Sequence, residues 1–315
     1  MSTSSTQVES YQGVLQRYKV PKGPDLPIFL NGDLNSDKAL IMMGGLYDGI
    51  VSLPYQATLS KMCSEIGWTA VQPYWTSALH GFAIGSLKQD AEELEAAVKH
   101  LRAQGKKTIV ILGSSTGCQD IMTYLLTHNT STPIQGAILQ APVSDRECFD
   151  DPKVIKAGEL AEKMVKEGRG EEMVPKEVAM EAWGMERVTA YRMWSLLCVG
   201  GDDDFFSSDL PEEPEENKKE GPSHRPLSET FGKLPTDTPL LFLFSGKDRS
   251  FPWSKTTPAK QFERWERAAN KDKKEDAGAK VKMQFGVMEG ASHQVDEVEL
   301  QPKFREAVEG FLKSV

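Results

Sequence analysis

The residues whose types and spacing could do chemistry are Gly113-Ser114-Ser115-Thr116-Gly117. The aliphatic residues 108–112 precede this Gly-x-Ser-x-Gly run and a helix-compatible stretch, 118–128, follows it. That is the order of a nucleophile elbow, in which a tight turn between a buried strand and a helix presents a serine hydroxyl. Ser115 stands two residues from both glycines and is the candidate nucleophile. A Cβ at Gly113 or Gly117 would collide with neighbouring backbone, and the helix N-terminus behind the serine favours developing negative charge. A chain of this length gives on the order of a tenth of such a match by chance, so partners must come from elsewhere.

A serine hydroxyl is a poor nucleophile at neutral pH. It needs a base within hydrogen-bond reach and a carboxylate to hold that base in the right tautomer. In the α/β-hydrolase arrangement the chain order is Ser, Asp or Glu, then His, each in a loop at the C-terminal end of a strand. Asp248 follows the strand-like run 239–244, and His293 follows the run 281–288. Of the five histidines, His100 and His128 sit near predicted helix ends, His224 in an acidic loop and His80 in an aromatic segment. Only His293 follows the last strand. Asp145, after the preceding strand, is the alternative acid, and Asp296 is too close in sequence to His293 for the usual geometry. The oxyanion hole of this architecture uses the N–H after the nucleophile and one from a loop after an early strand. Those are Thr116 and, in Gly44-Gly45-Leu46, Leu46.

Other features carry less chemistry. Tyr47, Trp75, His80 and Tyr191, with Phe82, are candidate substrate-pocket residues. Asp202-Asp203-Asp204 reads as a solvated loop and not as a cation site. Cys118 reads as a buried helix residue, without an adjacent base to make it a rival nucleophile. No Cys or His spacing suggests a metal, and the chemistry requires no cofactor.

The elements that must position these groups alternate regularly up to residue 145. Strands are predicted at 13–20, 27–31, 39–43, 68–73, 108–112 and 135–140, and helices at 53–66 (closed by Gly67), 87–103 and 118–128. Such alternation implies βαβ units and a mainly parallel sheet with helices on both faces. From 146 to 234 the alternation stops: 155–167 and 176–198 have helical character, and 201–222 is an acidic loop. We read 146–234 as a helical cap inserted into a core formed by 1–145 and 235–315. The sheet resumes at 239–244, followed by a helix over 257–270 with a polar run at 271–279, a last strand and a closing helix at 302–315. Residues 1–12 read as a frayed polar segment.

Composition bounds the partners. The chain has 315 residues, a net charge of −9 and four scattered cysteines. Without a basic stripe, nucleic acid is not an expected partner. Met1-Ser2-Thr3-Ser4-Ser5 lacks the charged and apolar regions of a signal peptide, and no apolar run reaches the roughly 20 residues of a membrane span. Lys313-Ser314-Val315 is not a peroxisomal address. A reduced, cytoplasmic protein is the expectation.

Several motifs resemble a fungal α/β-hydrolase-like family, long of unknown function, that includes intracellular esterases of fusarinine-type siderophores. They are Met43-Gly44-Gly45-Leu46 with Asp48-Gly49, Gly85-Ser86-Leu87 with Asp90, and Leu112-Gly113-Ser114-Ser115-Thr116-Gly117-Cys118-Gln119-Asp120. Thr189-Ala190-Tyr191-Arg192, Gly201-Asp202-Asp203-Asp204-Phe205-Phe206-Ser207-Ser208-Asp209-Leu210 and Phe244-Ser245-Gly246-Lys247-Asp248 complete the set. Many members of that family carry His where this chain has Ser114. The resemblance implies the α/β-hydrolase fold, a Ser115–His293–Asp248 triad and a small-molecule ester substrate of the hydroxamate siderophore class. The alternatives are a carboxylesterase or lactonase acting on another secondary metabolite, acyl transfer, or a non-catalytic binding protein that kept the fold. Oligomeric state is not legible.

Overall fold

The structure, a computed structural model, describes residues 10–149, 151–214, 223–273 and 280–315. Part of the frayed segment (1–9), of the acidic loop (215–222) and of the polar run (274–279) lies outside the described residues.

Strands β1 (Val14–Tyr18), β2 (Leu26–Gly32), β3 (Lys38–Met43), β4 (Thr69–Pro73), β5 (Thr108–Ser114), β6 (Gly136–Gln140), β7 (Leu240–Ser245) and β8 (Met283–Met288) form one sheet. Its order is β1-β2-β4-β3-β5-β6-β7-β8. The pairs β1–β2 and β2–β4 are antiparallel, and from β4–β3 onward every pair is parallel. This is the α/β-hydrolase fold, with β5 in the middle of the parallel part.

The two-residue period of a strand sends alternate side chains to opposite faces. In β5, Ile109 and Ile111 join one core with helices α2 (Leu87–Ala103), α3 (Thr116–Thr127) and α8 (Pro258–Asn270). Val110 and Leu112 join the other, with α1 (Gln56–Glu65) and α9 (Gln301–Leu312). A strand buried on both faces has no room for polar alternation, which is why these runs read as continuous aliphatics. Helix α2 shows the complementary pattern. Ser86 accepts from the Gln89 N–H at its start, and Leu87, Ala91, Leu94, Val98 and Leu101 recur at helical spacing on the buried face. Each fully buried leucine or valine stabilises by about 1.5–3 kcal/mol.

Between β6 and β7 lie α4 (Asp145–Cys148), α5 (Pro152–Lys166), α6 (Lys176–Trp183) and α7 (Ala190–Leu197), of which α5, α6 and α7 share a third apolar cluster around Ala157, Ala161, Met164, Val188 and Met193. The single helical stretch predicted over 176–198 is two helices. Gly184, at φ 66°, ends α6 in the left-handed conformation that glycine adopts without a Cβ clash. Thr189 restarts the chain as the cap of α7, accepting from the Arg192 N–H at 3.2 Å.

The reading of Asp202-Asp203-Asp204 as solvated is corrected for two of the three. Asp203 and Asp204 are 2% and 3% exposed. Asp203 Oδ2 accepts from Arg192 and from Ser195 Oγ, both at 2.6 Å. Asp204 accepts from Arg146 Nε at 3.1 Å, and Arg146 also grips Asp209 with both terminal nitrogens at 3.0 and 2.5 Å. Phe205 and Phe206 enter the main core, Ser207 meets Ser144 at 2.6 Å, and Ser208 donates to Glu147. The acidic motif is therefore a strap that fastens the inserted segment to the loop after β6. Periodicity could not show this, because the partner cations lie 11 and 58 residues away in the chain.

Candidate active site

Ser115 sits between β5 and α3 with φ 55° and ψ −123°, a conformation that costs a non-glycine residue energy and persists only where the surroundings enforce it. They do so here. A Cβ at Gly113 would lie 2.2 Å from the Gly117 carbonyl oxygen, and one at Gly117 would lie 2.8 Å from that of Gly44. The turn is anchored by the Ser115 N–H to the Gln140 carbonyl at 3.0 Å and the Cys118 N–H to the Ser115 carbonyl at 2.8 Å. Cys118 is fully buried, its Sγ turned to the Gly113 and Gln140 carbonyls, and burial raises its thiol well above the usual range.

Asp248 and His293 are brought together. Asp248 follows β7, is 2% exposed, and holds one carboxylate oxygen on the Ser250 N–H and the other 2.8 Å from His293 Nδ1. An ionised carboxylate can only accept, so Nδ1 carries the proton and Nε2 is left as the acceptor. Burial alone would lower the His293 pKa. The Asp248 hydrogen bond and charge outweigh it, with smaller contributions from Asp145 and Asp48, and the net direction is upward. Asp145 is bonded by Gln119 at 2.9 Å and Asp296 by Ser292 at 2.6 Å, so neither competes for the imidazole. Between Ser115 Oγ and the His293 ring no hydrogen bond is formed in this structure.

The loop after β3 closes on the elbow. A Cβ at Gly45 would stand 2.7 Å from Ser115 Cβ and 3.0 Å from the Thr116 nitrogen, so only glycine permits this approach. The Gly45 N–H is taken by Asp48 Oδ2 at 2.8 Å, and the same oxygen accepts from Gln294, the neighbour of His293, at 2.8 Å. The N–H groups of Leu46 and Thr116 have no hydrogen-bond partner among the described residues. Asp48 and Gln294 were missed in the sequence; Asp48 had shown itself only as a family mark.

The candidate pocket residues divide. Tyr47 is half exposed, packs edge-on against Phe82 at 4.6 Å between ring centres, and lies 6.1 Å from His80. The rings continue from Phe82 to Trp183 (6.5 Å) and from Trp183 to Phe149 (6.3 Å). This aromatic wall runs from the loop after β3 to the end of α4. Trp183 and Phe149 carried no signal in sequence. His80 is exposed and lines a cleft of about 420 Å³ with Ala83, Ile84, Gly184, Met185 and Arg187. Trp75, at 4% exposure, packs in the main core. Tyr191 gives its hydroxyl to Asp202 and its ring lies 5.9 Å from that of Trp194.

Behind α3 lies a buried charge cluster. Arg192, 1% exposed, faces Asp203, Asp90, Asp145 and Asp120, all buried. Burial first, then the neighbouring carboxylates, push Asp90 and Asp145 up to about 7 against the pull of Arg192, and Asp120 well above its ordinary value. One cation cannot neutralise four carboxylates in a low-dielectric site, so burial there favours the neutral form of Asp90, Asp120 and Asp145.

The profile of a family described as a protein of unknown function (DUF1749) matches residues 2–313. The chain belongs to this family. Among similar proteins, a UPF0613 protein of Schizosaccharomyces pombe is 36% identical over 181 residues, covering 54% of this chain and 57% of that protein. The chain thus spans little more than half of that relative. Fusarinine C esterase sidJ of Aspergillus fumigatus is 27% identical over 267 residues, 68% of this chain and 72% of that one. Among solved structures, the siderophore hydrolase EstB from Aspergillus fumigatus superposes with a TM-score of 0.77 at 25% identity, covering 97% of this chain and 98% of that one. The family description names no activity; sidJ is named as an esterase and EstB as a siderophore hydrolase, and the fold is shared with EstB. No helix of the described residues is long and apolar enough to cross a membrane.

Proposed function

We propose that this chain is a serine ester hydrolase whose triad is Ser115, His293 and Asp248. The observation that carries the reading is the 2.8 Å bond between His293 Nδ1 and Asp248, which leaves Nε2 free as a base, beside a serine held at φ 55° on a strand–helix turn. Ser115 Oγ attacks the ester carbonyl while Nε2 takes its proton; the tetrahedral oxyanion is held by the N–H groups of Leu46 and Thr116. Collapse expels the alcohol, which receives the proton from His293. Water, deprotonated by the same nitrogen, then cleaves the acyl-enzyme and releases the acid. The Ser115–His293 hydrogen bond forms as substrate fills the site, since such bonds are often open in unliganded enzymes.

The substrate class is a hydroxamate siderophore ester of the fusarinine type, supported by the likeness to the fusarinine C esterase and the siderophore hydrolase. Residues 146–234 act as the cap over a core of 1–145 and 235–315, with Tyr47 and His80 at the pocket rim. The reaction takes place in the cytosol, a reducing compartment that suits the buried thiols of Cys63 and Cys118. The reading is tested by fluorophosphonate labelling of wild type and Ser115→Ala, followed by fusarinine C hydrolysis with the same preparations. Labelling of wild type alone, with release of the monomer, supports both parts. Absence of labelling in wild type overturns the mechanism, and labelling without fusarinine C cleavage overturns the substrate class.

A further inference from the structure

Gln140 is fully buried at the C-terminal end of β6, between the strand that carries Ser115 and the strand that leads to Asp248. Its main-chain carbonyl accepts from the Ser115 N–H at 3.0 Å. Its side-chain oxygen accepts from Ser114 Oγ at 2.6 Å and Tyr55 OH at 3.2 Å. Two hydroxyl donors on one end of the amide fix its orientation and turn the NH₂ the other way. That group donates to the His293 carbonyl at 2.7 Å and to Ser245 Oγ at 3.3 Å, and Ser245 Oγ in turn donates to the same carbonyl at 3.2 Å. Ser245 also accepts the Asp248 N–H on its own carbonyl, at 3.2 Å. One side chain therefore reaches the elbow, the acid loop and the base loop, with no exposed atom.

We infer that Gln140 is the positioning residue of the triad: its amide bridges the Ser115 turn to the His293 main chain and so sets where the imidazole stands relative to both the nucleophile and Asp248. The inference rests on the triad reading above. It has a physical basis beyond packing. The His293 loop begins after an edge strand, β8, and among the described residues no strand pairs with β8 on its outer side. A carbonyl buried there without donors would turn to find others, and the imidazole attached to the same residue would turn with it. A displacement of about 1 Å at a reacting group costs on the order of a hundredfold in rate.

The test uses the full chain with Gln140→Met, close in length and shape but unable to bond, and Ser245→Ala, which removes the weaker donor to the same carbonyl while leaving Gln140 in place. Wild type and Ser115→Ala labelling with fluorophosphonate comes first and reports on the triad alone. In Gln140→Met, kcat for a chromogenic ester is expected to fall roughly ten- to a hundredfold with KM within about twofold, and fluorophosphonate labelling is expected to slow in parallel. The imidazole of His293, followed by NMR titration, is expected to move down toward an ordinary histidine because its bond to Asp248 loosens. Ser245→Ala gives the same pattern at a few-fold and keeps the question open to measurement if the methionine variant does not fold. Wild-type kcat and an unmoved His293 titration in a folded Gln140→Met overturn the inference while leaving the triad standing; if that variant does not fold, the same result in Ser245→Ala does so. An unlabelled wild type overturns the triad reading instead.

Discussion

His293 Nδ1 lies 2.8 Å from Asp248 Oδ2, and the carboxylate, 2% exposed, has its other oxygen on the Ser250 N–H. The pair makes the imidazolium more stable than in water, because the attraction of Asp248 exceeds the burial penalty.

The pH dependence of catalysis follows with a definite sign. The base must be neutral at Nε2, so kcat/KM for a simple ester is expected to rise along an acid limb whose midpoint lies above 6.5. Asp248→Asn should shift that limb downward and cut kcat by on the order of 10³–10⁴ through loss of the correct tautomer. A pH–rate series on wild type and this variant decides it; an unshifted limb would remove Asp248 from the role.

Conformational stability should have the opposite trend with pH over much of the acid range. Unfolded, Asp90 and Asp145 ionise near 3.8; folded, they hold their protons to about 7. Between those values the folded state binds more protons, so its stability is greatest below pH 3.8 as far as these two groups are concerned. It declines as pH rises toward 7 and is level above. Each group contributes a slope of at most about 1.4 kcal/mol per pH unit. Denaturant unfolding between pH 4 and 8 should show this decline, and Asp90→Asn should flatten it. A stability that climbs steadily across the interval in both proteins would contradict the assignment.

Removing the cation from the cluster should be severe. Arg192→Met leaves Asp203 buried opposite no charge and is expected to cost about 3–5 kcal/mol, whereas Arg192→Met combined with Asp203→Leu should recover much of the loss. The comparison by urea unfolding separates an uncompensated charge from lost packing: equal losses in the single and double variants would favour packing.

The approach of the β3 loop to the elbow can be tested with a single methyl group. Gly45→Ala places a carbon 2.7 Å from Ser115 Cβ, so the loop must retreat. Turnover should fall at least about tenfold, the scale of losing part of an oxyanion donor, with an unchanged circular dichroism spectrum. Turnover at the wild-type level would show that the two backbones do not need to meet.

Local order made the core legible. The β5 run with its glycines, the α2 stripe and the order of Ser115, Asp248 and His293 are all properties of short windows or of strand order, and the pairing of Asp248 with His293 follows from them. What could not be read depended on contacts across the chain. Asp203 looks like any acidic loop residue until Arg192 is beside it, and Trp75 looks like any aromatic near a pocket until its burial is known. Gln140 left a faint trace, a lone amide ending the aliphatic run Gly136–Gln140 where parallel strands deliver their functional groups.

The strap formed by the acidic motif has a consequence for the aromatic wall. Arg192 also holds the Phe82 carbonyl at 3.1 Å, the Thr189 N–H holds that of Ala83 at 3.0 Å, and Arg146 keeps both Asp204 and Asp209. Swinging the helices between β6 and β7 away would break the Arg192–Phe82 and Thr189–Ala83 bonds together. Phe82 of the aromatic wall is thus tied to the same arginine that grips the strap, so the wall and the acidic motif are fastened by one side chain.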